Sequence, residues 1–237
     1  MYFNGKKLGK HIGGFTPFNF EITDLIKEKD NFIIVKVDNK RKKEAVPTLN
    51  TDWWNYGGLT RDVKLVEVQN TFIEDYFIQL DKDNAGIISG YIKLNGKNQA
   101  NEKVNISIPE LKLKETVQTN KDGIAKLSIP VKKVTFWDID NPKLYQVEIS
   151  ANKDLIKDHI GFRSIKTEGS KVLLNNKPIF LKGISIHEES PVKGGRAHSL
   201  KDAETLLGYA KELGCNYVRL AHYPHNEHML RLSLIHI

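Results

Sequence analysis

The sequence predicts a modular chain: two regions of antiparallel β-sandwich, then the opening of a parallel β/α barrel. Three observations carry this reading. Between residues 70 and about 160, short apolar segments recur at regular spacing, with the turn signals KDNAG, LNGKN and NKDG between them. That is the pattern of a small antiparallel sandwich. After Gly161 the segments GISI and YVRL flank a stretch of helical period, and strand–helix–strand units build parallel sheets. Those two strands lead into His187, Arg219 and His222, at the carboxyl ends where such sheets carry their chemistry.

From residue 1 to about 69 the pattern is strands and turns. Phe15, Phe18 and Phe20 precede an ITDLI turn and an alternating strand, FIIVKV, at 32–37. A second alternating segment at 59–68 interleaves Val63, Leu65, Val66 and Val68 with charged residues, the mark of a half-buried strand. The region reads as the later part of a larger sandwich. Strands of the next sandwich are expected at 72–80, 87–94, 104–108, 116–119, 125–129 and 145–151, with Asn141 and Pro142 forming a corner before the last.

In the final third, PIFLKGI is expected as a strand. Ser199 followed by Asp202 three residues on is an N-cap arrangement. Leu200, Ala203, Leu206, Leu207, Ala210 and Leu213 then recur on one helical face, and Gly214 supplies the stop before the strand at 217–220. Past the second strand, the helix bearing Met229, Leu230 and Leu232 is expected to lack a sheet to cover its apolar face, and the tail SLIHI at 233–237 is expected not to be the native continuation.

Composition excludes several classes of function. No apolar run approaches the roughly 20 residues of a membrane helix, and MYFNGKKLGK has no apolar stretch behind its charges. The compartment, cytoplasmic or periplasmic, stays open. A single cysteine, Cys215, forbids an internal disulfide and reads as a small buried apolar residue. Net charge is +7, yet the densest basic cluster, Lys40, Arg41, Lys42 and Lys43, is bordered by Asn39 and Glu44 with no aromatic residue interleaved. It therefore reads as a solvated loop, and no nucleic-acid partner is expected.

Several separated segments, taken in order, resemble one family. GFRSI, NNKPIFLKGISIHEESP, GRAHS and ELGCNYVRLAHYPHNE resemble the start of the catalytic barrel of glycoside hydrolase family 2, which holds β-galactosidases and β-glucuronidases. NGKKLGKHIGGFTPFNFEITDLI and DWWNYGGLTRDV resemble its sugar-binding domain, and NPKLYQVEI the end of its middle domain. The resemblance implies a multidomain fold: residues 1–69 as the C-terminal part of a β jelly roll, 70–160 as an immunoglobulin-like β-sandwich, and 161–237 as the incomplete first part of a (β/α)8 TIM barrel.

It also implies chemistry. Hydrolysis with retention uses an acid/base and a nucleophilic glutamate about 5 Å apart, which in the family lie on later barrel strands, so no catalytic residue is expected within this chain. The implied partner is a β-linked glycoside, with no cofactor, no metal ion and no membrane; homo-oligomerisation of the full-length protein is left open. Terminal β-galactosides are the expected substrates. β-Glucuronides are the alternative, towards which HYPHNEHML leans, and a non-catalytic carbohydrate-binding module is a further one.

By the same resemblance Asp52, His187 and His222 would bind substrate, and Arg219 joins them by its place at the end of the second strand, where its fork can hold hydroxyls or a carboxylate. Imidazole can donate to a sugar hydroxyl, and a carboxylate beside Trp53 and Trp54 suits hydroxyls and sugar C–H faces. Arg219 could equally pair with a buried carboxylate, and the tryptophans could be packing residues. Glu188 and Glu189 are not expected to act as a catalytic pair, because adjacent residues in an extended stretch point to opposite sides. One is expected to be structural and the other solvated. HEE also lacks the spacing of a zinc-binding helix.

Overall fold

A computed structural model describes residues 1–236; Ile237, the last residue of the tail considered above, lies outside them. The chain forms two compact units, one of Met1–Val63 with Gly183–Ser233 and one built mainly of Lys64–Lys182.

In the first unit the early strands are brief. β1 (Tyr2–Phe3) pairs antiparallel with β2 (Lys6–Lys7) and with β3 (Ile33–Ile34). Asn4 ties this corner together by donating to the Leu25 carbonyl and accepting from the Phe32 amide. The strand expected at 32–37 is thus reduced to two residues. The one expected at 59–68 does not form, and Leu59, Val63, Leu65, Val66 and Val68 are all exposed. The reason is cooperative: alternation prepares a face, but a strand exists only where a neighbour accepts its ladder hydrogen bonds, and no described segment pairs with this one.

The second unit is the sandwich. β4 (Thr71–Leu80), β5 (Ile87–Gly96), β6 (Lys103–Ile108), β7 (Leu113–Gln118), β8 (Ile124–Pro130), β9 (Tyr145–Ala151) and β10 (Asp154–Ile160) assemble into two sheets ordered β4–β5–β8 and β10–β9–β6–β7. Alternate residues face inward; in β9 Tyr145, Val147, Ile149 and Ala151 are all buried. They meet Ile88, Ile92, Leu94, Val104, Ile106 and Leu127 in one core. Each such branched side chain contributes about 1.5–3 kcal/mol on burial, before ordering entropy is subtracted.

At Gly90, where φ is +144°, an added Cβ would lie 1.8 Å from the Phe77 carbonyl oxygen, so only glycine lets β4 and β5 approach there. The expected strand at 116–119 begins earlier, at Leu113, and β10 was not anticipated at all. Its residues alternate only weakly, and its place is fixed by an unbroken ladder from Asp154↔Ala151 to Ile160↔Tyr145. A three-stranded antiparallel sheet follows in the same unit: β11 (Ile165–Glu168), β12 (Lys171–Leu174) and β13 (Lys177–Ile179).

PIFLKGI is therefore not one strand. It breaks at Phe180, which is 80% exposed, and the chain re-enters the first unit with β14 (Gly183–Ile186). The helix α1 (Leu200–Glu212) then leads to β15 (Tyr217–Leu220), which lies parallel to β14 with Ser185 opposite Arg219. Gly183 makes this close pairing possible, since a Cβ there would fall 2.4 Å from the Tyr217 carbonyl oxygen.

The α1 cap forms as expected. Ser199 Oγ accepts from the Asp202 amide at 3.2 Å, and the Asp202 carboxylate accepts from the Ser199 amide at 3.1 Å. Gly214, at φ +72°, ends the helix in the left-handed region. The buried face is narrower than the sequence suggests: Ala203, Leu207 and Ala210 are buried, whereas Leu200 and Leu213 are exposed. Cys215 is half-buried rather than fully buried.

The last element is α2 (Glu227–His236). Contrary to expectation, Met229 on its first turn is buried, with 2% exposure, while Leu230 is exposed. Of the face expected to stay uncovered, Met229 is thus buried, Leu232 is half-buried and Leu230 remains exposed. Two parallel strands with a crossover helix are present, and no closed barrel forms among the described residues.

Candidate sugar-binding site

The site grows from the ends of β14 and β15 in the first unit. Beyond Ile186 the chain runs through His187, Glu188 and Glu189; beyond Leu220 it runs through Ala221, His222 and Tyr223. Parallel pairing holds the two stubs side by side, and the Ala221 amide continues the ladder by donating to the Ile186 carbonyl at 3.0 Å. The imidazoles of His187 and His222 therefore face each other edge to face, with centroids 5.2 Å apart.

A loop from early in the chain completes the arrangement. Trp53 packs against both histidines, 6.3 Å from His187 and 5.4 Å from His222, and against Tyr223 at 5.9 Å. Asp52 reaches the same place: its Oδ2 lies 4.0 Å from His222 Nε2, and one ligating atom from each of Asp52, His187 and His222 falls within 4.8 Å of the other two. The expected residues Asp52, His187 and His222 thus come together. Arg219 is exposed on β15 opposite Ser185, and no hydrogen bond or ring contact joins it to the other three among the described residues.

The loop is held by groups that the sequence did not single out. Arg41, read there as part of a solvated basic cluster, donates to the Leu49 and Trp53 carbonyls at 3.3 and 3.1 Å. Its neighbours Lys40, Lys42 and Lys43 are exposed. Thr51 Oγ1 donates to the Trp53 carbonyl at 3.2 Å. Of the tryptophans, Trp53 is half-buried at the site while Trp54 is 69% exposed.

Next to His187 in the chain, Glu188 forms a buried ionic hub. Glu188 is wholly buried; its carboxylate accepts from Arg61 at 2.7 Å, from Arg196 at 3.4 Å and from the Asn226 amide. Arg61 also donates to the Pro224 carbonyl at 2.8 Å, and Tyr223 Oη accepts from the Glu188 amide at 3.1 Å. The Arg196 guanidinium lies over Tyr223 and Tyr56 at 5.0 and 5.1 Å, with Phe15 at 5.7 Å. A buried carboxylate is tolerated only with such compensation.

Glu188 thus takes the structural role expected for one of the two glutamates. Glu189, expected to be solvated, is half-buried and accepts from the Trp54 amide at 3.2 Å, so it too ties the early loop to the strand end. Arg61 and Arg196 lie within the segments DWWNYGGLTRDV and GRAHS, so their positions were visible although their pairing was not.

Burial sets the electrostatics of the remaining groups. His225 is buried, which lowers its pKa below the ordinary imidazole value, and its Nε2 lies 2.9 Å from the Ala221 carbonyl oxygen. Burial also raises the Tyr223 hydroxyl. For Asp202 burial acts upward, but hydrogen bonds from Lys193 and Ser199 outweigh it and hold the carboxyl well below its usual range.

The chain combines an antiparallel sandwich with a unit of paired parallel β/α strands, which carries two histidines at the strand ends beside an aspartate and a tryptophan from an earlier loop. Its family follows from direct comparison. The models of glycosyl hydrolases family 2 match the chain in three consecutive parts: the sugar binding domain over residues 1–69, the family 2 domain over 71–163 and the TIM barrel domain over 165–235. The chain belongs to glycosyl hydrolase family 2.

Among its relatives, a β-galactosidase of Thermoanaerobacter pseudethanolicus is 32% identical over 253 residues, covering 94% of this chain and 32% of the relative. A β-glucuronidase of Paenibacillus borealis is 27% identical, covering 98% and 42%. The crystal structure of Ruminococcus gnavus β-glucuronidase superposes with a TM-score of 0.81 at 25% identity, covering 99% of this chain and 43% of that one. The chain spans about a third of the length of the curated relatives it matches.

Proposed function

We propose that the whole protein is an exo-acting β-glycosidase that cleaves terminal β-galactosides with retention, and that this chain supplies the non-reducing-end sugar pocket. The division into modules near residues 69/70 and 160/161 is part of the proposal. So is the supply of the acid/base and nucleophilic glutamates by barrel strands beyond those described here, as retention requires two carboxyl groups about 5 Å apart.

The observation that carries the reading is the meeting of Asp52, His187 and His222 beside the Trp53 ring. A carboxylate accepts from sugar hydroxyls, imidazoles donate or accept, and an indole face covers the C–H side of a pyranose. Arg219, on the next strand end, is assigned to the outer rim, where its fork can hold hydroxyls. The neutral sugar is favoured over a uronate because Asp52 already brings a carboxylate to the cluster, which would repel a second negative charge. β-Glucuronide hydrolysis is the second reading, supported by the likeness to the Ruminococcus gnavus β-glucuronidase.

The test is titration of the chain with methyl β-galactoside and methyl β-glucuronide, followed by the imidazole NMR signals of His187 and His222. Shifts of both with the galactoside, abolished by Asp52→Ala, are expected. Shifts with the glucuronide alone would transfer the assignment to the second reading, and none with either sugar would remove the pocket from these residues.

A further inference from the structure

We propose that Asp52, His187 and His222 also form a binding site for a divalent transition-metal ion of the zinc class. Such an ion would occupy the place assigned above to the sugar. The inference uses the geometry of the three side chains and does not depend on which glycoside the protein cleaves.

Two imidazoles and one carboxylate are a donor set that suits zinc and its neighbours; magnesium and calcium prefer oxygen-only shells. Three protein ligands leave a fourth position open for water or a competing group, as zinc sites outside purely structural ones do. In a tetrahedral site with metal–ligand bonds of about 2.0–2.2 Å, the ligating atoms lie about 3.3–3.6 Å apart. Here they lie within 4.8 Å, and the Asp52–His222 pair stands at 4.0 Å. The gap to close is therefore about 1 Å.

Asp52 is 75% exposed and so can turn towards the histidines without disturbing packed neighbours. The histidines are held side by side, with ring centroids 5.2 Å apart. They are set by the β14–β15 ladder and wedged against Trp53, which limits the ordering entropy lost on binding. Their ring nitrogens make no hydrogen bond to a described residue, so coordination would displace no internal partner. Glu188, next to His187 in the chain, is committed to Arg61 and Arg196 and so does not compete as a ligand.

The experiment is isothermal titration of the whole chain with zinc chloride, and separately cobalt(II) chloride followed by visible absorption. We expect one zinc ion per chain and an intense cobalt d–d band of a four-coordinate nitrogen/oxygen site, with magnesium chloride giving no heat. His187→Ala and His222→Ala should each weaken zinc binding by more than the about 10- to 100-fold that loss of an outer-shell partner costs. Asp52→Asn, in an exposed loop and so safe for folding, should abolish the cobalt band or shift it to that of a two-histidine site. His198→Ala and His11→Ala, outside the cluster, should change nothing. Zinc affinity unchanged by Asp52→Asn and His222→Ala, or lost on His198→Ala instead, would overturn the proposal. So would the absence of any stoichiometric zinc binding.

Discussion

Glu188 and Arg61, 127 residues apart, meet in a 2.7 Å ion pair whose carboxylate is wholly buried. This contact joins the end of β14 to the segment after the Asp52 loop, and Arg196 contacts the same carboxylate oxygen at 3.4 Å. Tyr223, Tyr56 and Phe15 pack around the Arg196 guanidinium at 5.0, 5.1 and 5.7 Å, and its side chain is 8% exposed.

Removing one partner of this hub should be costly. Glu188→Ala leaves two guanidinium groups facing each other in a poorly solvated place, and breaking a buried pair in this way destabilises by about 3–5 kcal/mol. Urea unfolding followed by tryptophan fluorescence should show that loss, with Glu188→Gln retaining part of the stability through its remaining hydrogen bonds. A midpoint for Glu188→Ala equal to that of the parent would show the hub to be dispensable.

His225 predicts an acid-side loss of stability. Its folded pKa lies below the ordinary value of about 6.5 because burial disfavours the charged ring. The unfolded chain therefore takes up a proton first, and stability must fall as pH drops below about 6.5. Thermal melts between pH 8 and pH 5 should show the midpoint falling, and His225→Gln should flatten that part of the curve.

The α1 cap predicts a second acid transition, further down. Asp202 is held ionised by Lys193 and Ser199, so its contribution is complete above the ordinary carboxyl pKa of about 3.9 and disappears as pH falls towards its own lower value. Ser199→Ala should cost about 0.5–2 kcal/mol at neutral pH and reduce the acid-side slope, read from helical circular dichroism. An unchanged slope would separate Asp202 from the cap.

Catalysis should be absent from the chain alone. Glu188 is committed to Arg61 and Arg196, and Glu189 to the Trp54 amide, so neither is placed to act as nucleophile or acid, and retention needs both. Purified protein incubated with aryl β-galactoside and aryl β-glucuronide should release no phenol above the buffer rate. Turnover that vanishes with Glu188→Gln would refute this.

A glycine at the strand pair offers a test of site geometry. Gly183→Ala would push a methyl against the Tyr217 carbonyl, 2.4 Å away, and so spread β14 from β15. Sugar-induced shifts of His187 and His222 should then weaken together, while unfolding of the sandwich stays unchanged.

The sequence by itself determined the local elements whose pattern is self-contained. The alternating strands of the sandwich, the Ser199–Asp202 cap, the Gly214 stop and the short apolar strands ahead of His187 and His222 all follow from spacing and side-chain chemistry within a few residues. Arg219 and the histidines were legible as strand-end residues, and the family resemblance added Asp52 and the roles of the histidines. Only the tertiary structure decided what depends on partners distant along the chain. The alternating segment at 59–68 stayed irregular for want of a neighbour. Met229 found cover, and Arg41 left its lysine neighbours to hold the Trp53 loop. Three of the four expected residues converged, while no hydrogen bond or ring contact among the described residues joins Arg219 to them. Periodicity fixes which face a residue takes, but the carboxylate that an arginine meets is set by how loops close in space, and nothing in their separate segments encodes that distance.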